Sequence, residues 1–381
     1  MAKLCSHDEC TGCLACVNVR CASLLCETDQ EGFIRPVVQE SCTNCGRCSK
    51  VCPKLVVKRA SNDYKARYYA CAAKDQDVLM RSSSGGLFSL LARQVLKKKG
   101  IVYGAAFNEN MHLEHIAVDT EDKLPLLCGS KYLQSDIDGC YFQIQKLLQE
   151  GRTVLFCGLP CQVDGLNCYL ETDNFERLIT VDILCKGVPS PGVFSAFIAQ
   201  QEKNVGRKIV NVTFRDKSSG WGNAIMGIYL SNGIVIKHPL TQTTFGAAFS
   251  TNLIMRKSCY QCSYRSMHRV GDITLGDFWG IGKDSNLYEA REKGVSFLSI
   301  NTSKGEERFS EIGASINYES ADISNAISNN SALRTSYYSN KKREDFFNKF
   351  TINPQKALAH YTVAHRMLVF LRNSLKGFNR V

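Results

Sequence analysis

The chain has 381 residues, a length that predicts two or three domains. Its 44% hydrophobic and 22% charged residues belong to a globular protein that buries a real core, which excludes a chain too polar to fold. The net charge is +11, but residues 341–381 hold nine basic and two acidic side chains, so the excess is mostly local and excludes a uniformly basic surface.

The opening, MAKLCSHDEC, has no apolar core ahead of a cleavage site, and no run of about eighteen apolar residues comes after it. A cytoplasmic protein is expected. In that compartment its 19 cysteines should stay reduced, so metal binding or redox work explains them better than disulfides.

Two cysteine runs come first. One reads Cys10-x2-Cys13-x2-Cys16-x4-Cys21 and the other Cys42-x2-Cys45-x2-Cys48-x3-Cys52-Pro53, with turn residues Asp29, Gly32 and Pro36 between them. The second run has the spacing of bacterial two-cluster ferredoxins, in which three cysteines of one run and the last cysteine of the other hold each cluster. That logic assigns Cys10, Cys13, Cys16 and Cys52 to one 4Fe-4S cluster, and Cys42, Cys45, Cys48 and Cys21 to a second. In such loops backbone N–H groups point inward at the cluster. The x4 spacer before Cys21, with Ala22 where proline is common, leaves Cys26 as an alternative fourth ligand. Zinc sites also use C-x2-C pairs, but with a longer spacer between two pairs.

Lys54 to Lys65 reads as a polar, basic linker, and Arg67 to Ala72 as the first strand of the second domain. Arg81-Ser82-Ser83-Ser84-Gly85-Gly86 then leads into a helix patterned on Leu87, Phe88, Leu90, Leu91 and Val95, which ends at Lys97-Lys98-Lys99-Gly100. A serine- and glycine-rich helix start is either a phosphate seat or a plain serine N-cap. The strand Ile101 to Phe107 comes next. Gly129-Ser130-Lys131-Tyr132 can set a cation beside a flavin or phosphate, or Lys131 can be surface.

After a helix at Tyr141 to Gln149, Val154 to Cys157 is a short buried strand, and Gly158-Leu159-Pro160-Cys161 starts a helix. A strand from Leu178 to Leu184 delivers Cys185, and proline opens the next helix at Pro189-Ser190-Pro191. This alternation predicts a mostly parallel sheet with ligands at the strand C-terminal ends, where Cys161 and Cys185 fall. Val210 to Arg215 and Ala224 to Lys237 read as antiparallel strands, the latter folded at Asn232-Gly233. Cys259-x2-Cys262 precedes the strand Asp272 to Trp279. Four cysteines beside turns, Cys161, Cys185, Cys259 and Cys262, suggest a further metal site, although a lone free cysteine is usually core. Cys71, Cys128, Cys140, Cys157 and Cys168 lie inside strand or helix patterns and are expected in the core.

Together with the cysteine runs, SSGGLFSLLA, GSKYLQS, GLPCQVDGL, DILCKGVPSPGVF, CYQC and RVGDITLGDFWG resemble the coenzyme F-420 hydrogenase/dehydrogenase beta-subunit family, from Cys10 to about Tyr318. The resemblance implies an α+β / α/β protein: a dicluster ferredoxin-like module at 1–60, a mixed α/β flavin-binding region formed by 61–150 and 151–335, and a basic helical tail at 336–381. It implies FAD held by Ser83, Ser84, Gly85, Gly86 and Lys131, with Lys131 also stabilising negative charge in catalysis. It further implies a third 4Fe-4S cluster on Cys161, Cys185, Cys259 and Cys262.

The activity it implies passes electrons between clusters and FAD, and between FAD and an organic substrate or a redox partner such as ferredoxin, a deazaflavin coenzyme or NAD(P)H. The alternative is an electron-transfer subunit that links ferredoxin to a partner enzyme. No nucleic acid partner is expected, because the basic tail comes without an aromatic-basic stripe or motif. In that tail Ala364, Met367, Leu368, Leu371, Leu375 and Phe378 share one helical face opposite Arg366, Arg372, Lys376 and Arg380, a pattern for docking on protein or lying on an anionic membrane.

Overall fold

The computed structural model describes residues 2–56, 64–171, 176–334 and 339–361. The apolar stripe expected from Ala364 to Phe378 and most of the expected linker lie outside the described residues. Among those described, no helix is long and apolar enough to cross a membrane.

The two cysteine runs fold alike. Each leads into a helix of one turn, Ala15–Asn18 and Arg47–Lys50. Positive φ falls at matching places, at Gly12 and Leu14 in the first run and at Asn44 and Gly46 in the second. Such alternation turns successive N–H groups toward one side of the loop, which makes a seat for negative charge. Between the runs, strands β1 (Leu24–Thr28) and β2 (Ile34–Val38) pair antiparallel, and Asp29 Oδ1 accepts the N–H groups of Glu31 and Phe33 at the turn.

The rest of the chain is built on one sheet of eight strands, ordered β13-β3-β12-β11-β7-β6-β4-β5. These are β3 (Arg67–Ala73), β4 (Ile101–Phe107), β5 (Leu113–Val118), β6 (Val154–Gly158), β7 (Leu178–Ile183), β11 (Ile273–Asp277), β12 (Ser296–Ile300) and β13 (Ile316–Ser320). Residues before and after 150 therefore share a sheet. Only the central pairings β11–β7, β7–β6 and β6–β4 are parallel, so the mostly parallel sheet expected from the sequence is confined to the middle. Parallel neighbours need a long crossover, and β4 to β5 is a short turn, while β11 to β12 is joined by a loop with one turn of 3₁₀ helix.

A separate antiparallel sheet contains β8 (Ile209–Asp216), β9 (Ile225–Leu230) and β10 (Val235–Pro239). Its β9–β10 turn is a three-residue loop, 231–233, with Gly233 at φ 84° in the left-handed position such a loop needs. It packs on the helix Pro191–Val205 through Phe194, Phe197, Phe214 and Phe245, all nearly inaccessible.

The cysteine-rich segment is bonded to this body rather than tethered to it. Asn18 donates to Ile137 O (3.1 Å) and accepts from Tyr141 N (2.9 Å), so it serves a helix start 123 residues away. Arg343 Nη1 meets Glu31 Oε1 at 2.7 Å, and Gly32 and Gly192 touch backbone to backbone.

Gly86, with φ 87°, is the N-cap of the helix Leu87–Lys97, and no side chain caps it. The serines therefore do not act as the plain cap. Gly85 faces the core: its N–H donates to Ser296 Oγ at 2.8 Å, and a Cβ would stand 2.3 Å from Cys71 O. Gly85→Ala is expected to cost about 1–3 kcal/mol by overpacking against fixed backbone, read as a lower urea midpoint at unchanged slope.

Candidate functional site

Cys13, Cys16, Cys48 and Cys52 are buried, Cys10, Cys21, Cys26 and Cys42 half-buried, and Cys45 exposed. Cys10, Cys13, Cys16 and Cys52 lie close enough to act on one another electrostatically. Cys5, outside both runs, joins them through hydrogen bonds with Cys10 and Cys52. No interaction among the described residues links Cys21 or Cys26 to Cys42 or Cys45. Cys26 sits in β1 opposite Pro36, and burial, then Asp138 and Asp136, push its thiol up to about 12.

Backbone N–H groups aim at these sulfurs two residues on. Asn44 N lies 3.4 Å from Cys42 Sγ, and Gly12, Ala15, Arg47 and Lys54 serve Cys10, Cys13, Cys45 and Cys52 in the same way. Donors at a sulfur favour thiolate, the form that ligates iron.

The other four cysteines meet. Cys161 opens the helix Pro160–Leu170 that follows β6, Cys185 follows β7, and Cys259 and Cys262 come from the short helix Lys257–Tyr260 and its exit. All four line one cavity of about 30 Å³ with Thr11, Lys54 and Tyr264. Val188 N donates to Cys259 Sγ at 3.4 Å, and Gly187 again serves Cys185. At φ 134°, Gly187 leaves no room for a side chain, since a Cβ would stand 2.7 Å from Met255 Sδ. Burial pushes the thiols up, Cys185 to about 12 and Cys259 to about 11. Thiols held neutral in this way ligate only where a metal's charge ionises them.

Among the described residues no three His, Cys, Asp or Glu side chains converge on one ion position. A zinc site needs its sulfurs about 2.3 Å from a single point. A cluster of several irons spreads them further, and the donor set of four thiols with N–H groups suits it.

This small cavity abuts a larger one of about 520 Å³ at the C-terminal ends of the parallel strands, and Leu159, Cys185, Lys186, Gly187 and Val188 line both. That is the size of a small-molecule site. Ser83, Ser84, Gly86 and Lys131 line it, whereas Gly85 does not. Ser130 donates to Ser83 through its N–H and, at 2.9 Å, its hydroxyl, which joins the two loops that carry the expected flavin contacts. The uncapped first turn of the helix Leu87–Lys97 opens here and offers N–H groups and a positive dipole end. Lys131 Nζ donates to Leu126 O (3.0 Å) and Cys128 O (2.7 Å), and burial pushes its ammonium down to about 8.

Cys128 and Cys157, expected in the core, line this cavity as well. Cys71 and Cys140 are core, and Cys168 is half-buried. Several lining residues carry no sequence signal. His115 is held from Ser135 Oγ (2.8 Å) to Cys157 O (3.0 Å), and burial depresses it to about 4, so it is neutral. Arg215 reaches Asp277 at 3.3 Å and lies against Trp279, which stacks on Trp221 at 4.0 Å. Asp277 and Trp279 stand in the GDFWG motif, a signal that was available.

Fold and thiols define an iron-sulfur protein of mixed α/β architecture. Residues 35–58 match the 4Fe-4S binding domain, and residues 151–326 match the family described as the C terminus of the coenzyme F420 hydrogenase/dehydrogenase beta subunit. Residues 151–326 thus carry the C-terminal region of that beta-subunit family, behind an N-terminal 4Fe-4S binding domain. It is similar to a chain of the F420-reducing [NiFe] hydrogenase complex from Methanosarcina barkeri, with 15% identity over 80% of this chain and 94% of that one. The TM-score is 0.46. No curated protein matches the chain.

Lys217 supports the cavity floor by donating to Leu79 O (2.7 Å) and Ser84 O (2.8 Å). Burial pushes its ammonium from 10.5 down to about 7. Between those values the unfolded chain keeps a proton that the folded chain has released, so this residue makes stability rise with pH across the window and not below it. Urea midpoints measured from pH 7 to pH 10 are expected to rise more steeply in the wild type than in Lys217→Met.

Proposed function

We propose that the chain is an iron-sulfur flavoprotein oxidoreductase that passes electrons between 4Fe-4S clusters and FAD, and between FAD and a two-electron partner. One observation carries this reading. The four-thiol cavity shares a wall with the 520 Å³ cavity, and Gly165, one turn past Cys161, packs so closely on Cys13 that a Cβ would stand 3.1 Å from its sulfur. The inner four thiols thus adjoin both the N-terminal thiols and the large cavity.

On this reading Cys10, Cys13, Cys16 and Cys52 hold one cluster. Cys42, Cys45 and Cys48 hold a second, closed by Cys21 with Cys26 as the alternative. Cys161, Cys185, Cys259 and Cys262 hold a third. Ser83, Ser84 and the N–H groups after Gly86 receive the FAD phosphates, while Gly85 acts through packing alone. When bound, FAD supplies the conversion between single electrons and hydride. Lys131, itself buried, presents a cation where negative charge develops. His115, neutral and fixed between two hydrogen bonds, orients that wall without adding charge. The two-electron partner is a deazaflavin coenzyme, NAD(P)H or another organic molecule.

A second reading follows from the family description, which names a beta subunit: the chain links ferredoxin to a separate enzyme and has no substrate of its own. Anaerobic purification decides between them. The first reading expects iron matched by labile sulfide, bound flavin, and reduction of a small acceptor by the isolated chain. The second expects tight binding to a partner subunit and no such turnover. Cys161→Ala is expected to lower iron by about four per chain and to keep flavin. Lys131→Ala should retain flavin and lose turnover on the order of a hundredfold. A colourless preparation with neither labile sulfide nor flavin would remove the proposal.

A further inference from the structure

Arg256 is fully buried and is the largest side chain to be so. Its partners are neutral. Nε donates to Gln134 Oε1 (2.8 Å), Nη2 to Ile34 O (2.9 Å) and Nη1 to Cys10 O (3.5 Å), and the guanidinium lies 4.6 Å from the Phe33 ring centroid. No ion pair joins it to a carboxylate among the described residues, because nearby Asp29 is paired with Arg35 at 2.8 Å.

A buried cation without a counter-charge costs several kcal/mol. The charge it faces is that of the sulfurs. Arg35, Cys10, Cys259 and Asp29 are the charged or ionisable groups that act on it, and Cys259, three residues on, donates its N–H to Arg256 O at 3.0 Å. The approach is built in. Gly12, at φ 70°, has no Cβ, and one would stand 2.7 Å from Nη2. Gln134, which holds Nε, also donates to Thr11 O (2.8 Å) and Gly12 O (3.0 Å).

We infer that Arg256 is a fixed counter-charge between the cluster on Cys10, Cys13, Cys16 and Cys52 and the cluster on Cys161, Cys185, Cys259 and Cys262, and that it raises the reduction potential of both. The inference rests on the cluster assignment proposed above. In the step it serves, one centre loses one electron and the other gains it, with no proton moved. Each reduced centre is one charge more negative than its oxidised form. A cation held beside both favours the reduced forms and lowers the cost of bringing an electron into the dry junction. Arg256 touches ligand loops and not the irons, so it is a positioning residue for charge.

The test is an EPR-monitored redox titration of anaerobically purified full-length protein, after iron and labile sulfide have been counted. If the wild type holds no clusters, the underlying reading fails first, and this inference with it. With clusters in place, Arg256→Gln is expected to lower at least one midpoint by about 59 mV or more, a tenfold change in a one-electron equilibrium. Arg256→Lys, which keeps the charge, should restore most of the shift. Ser258→Ala removes the neutral donor to Cys10 O (3.1 Å) and should move it less. Midpoints unchanged in Arg256→Gln, or equal shifts in all three variants, overturn the counter-charge role and leave the cluster assignment standing. Should Arg256→Gln fail to retain iron, Gln134→Ala frees the guanidinium without removing it. A downward shift there supports the inference, and an unmoved midpoint counts against it.

Discussion

The parallel pairing of β6 with β7 is the constraint on which the site depends. In that register Gly158 stands opposite Asp182, and Cys161 and Cys185 each follow three positions later. The two thiols therefore leave the sheet at the same level and on the same edge. The crossover helix that makes the pairing parallel begins with Cys161 and carries Gly165 against Cys13. One topological choice thus sets the distance from the N-terminal thiols to the inner four, and from those to the cavity at the strand ends, where open parallel sheets gather ligands.

Charge follows the same axis. The interior carries an unusual number of cations: Arg256 is inaccessible, and burial depresses Lys131, Lys186 and Lys217. Arg256, Lys131 and Lys217 donate to carbonyl oxygens. Buried cations are rarely kept without anions, and in the proposed function those anions are thiolate-held clusters and the FAD pyrophosphate. Burial holds the inner thiols neutral.

The features legible in the sequence are local. Cysteine spacing within a run, the glycine and serine before a helix and the turn at Asn232-Gly233 are set by the backbone of a few residues, and the elements appeared where the pattern put them. Where the reading went astray, distant residues were responsible. Gly85 looks like part of a phosphate loop, yet the reason for glycine is Cys71 O in β3. Cys128 and Cys157 sit in strand-like or helix-like surroundings and still face a cavity, because one strand end opens on it. His115, Arg215 and Lys217 have no spacing to mark them.

By itself, then, the sequence determined the thiol spacing of a 4Fe-4S binding domain and the local elements that carry the other cysteines, the serine-glycine loop and Lys131. Backbone preference and thiol spacing act over a few residues and need no knowledge of the fold. Tertiary structure alone decided what faces what. The order of strands in the sheet, the meeting of Arg256 with Gln134 and the Cys10 loop, and the wall shared by two cavities arise from packing between segments more than a hundred residues apart, where contact depends on how the whole chain buries its apolar surface.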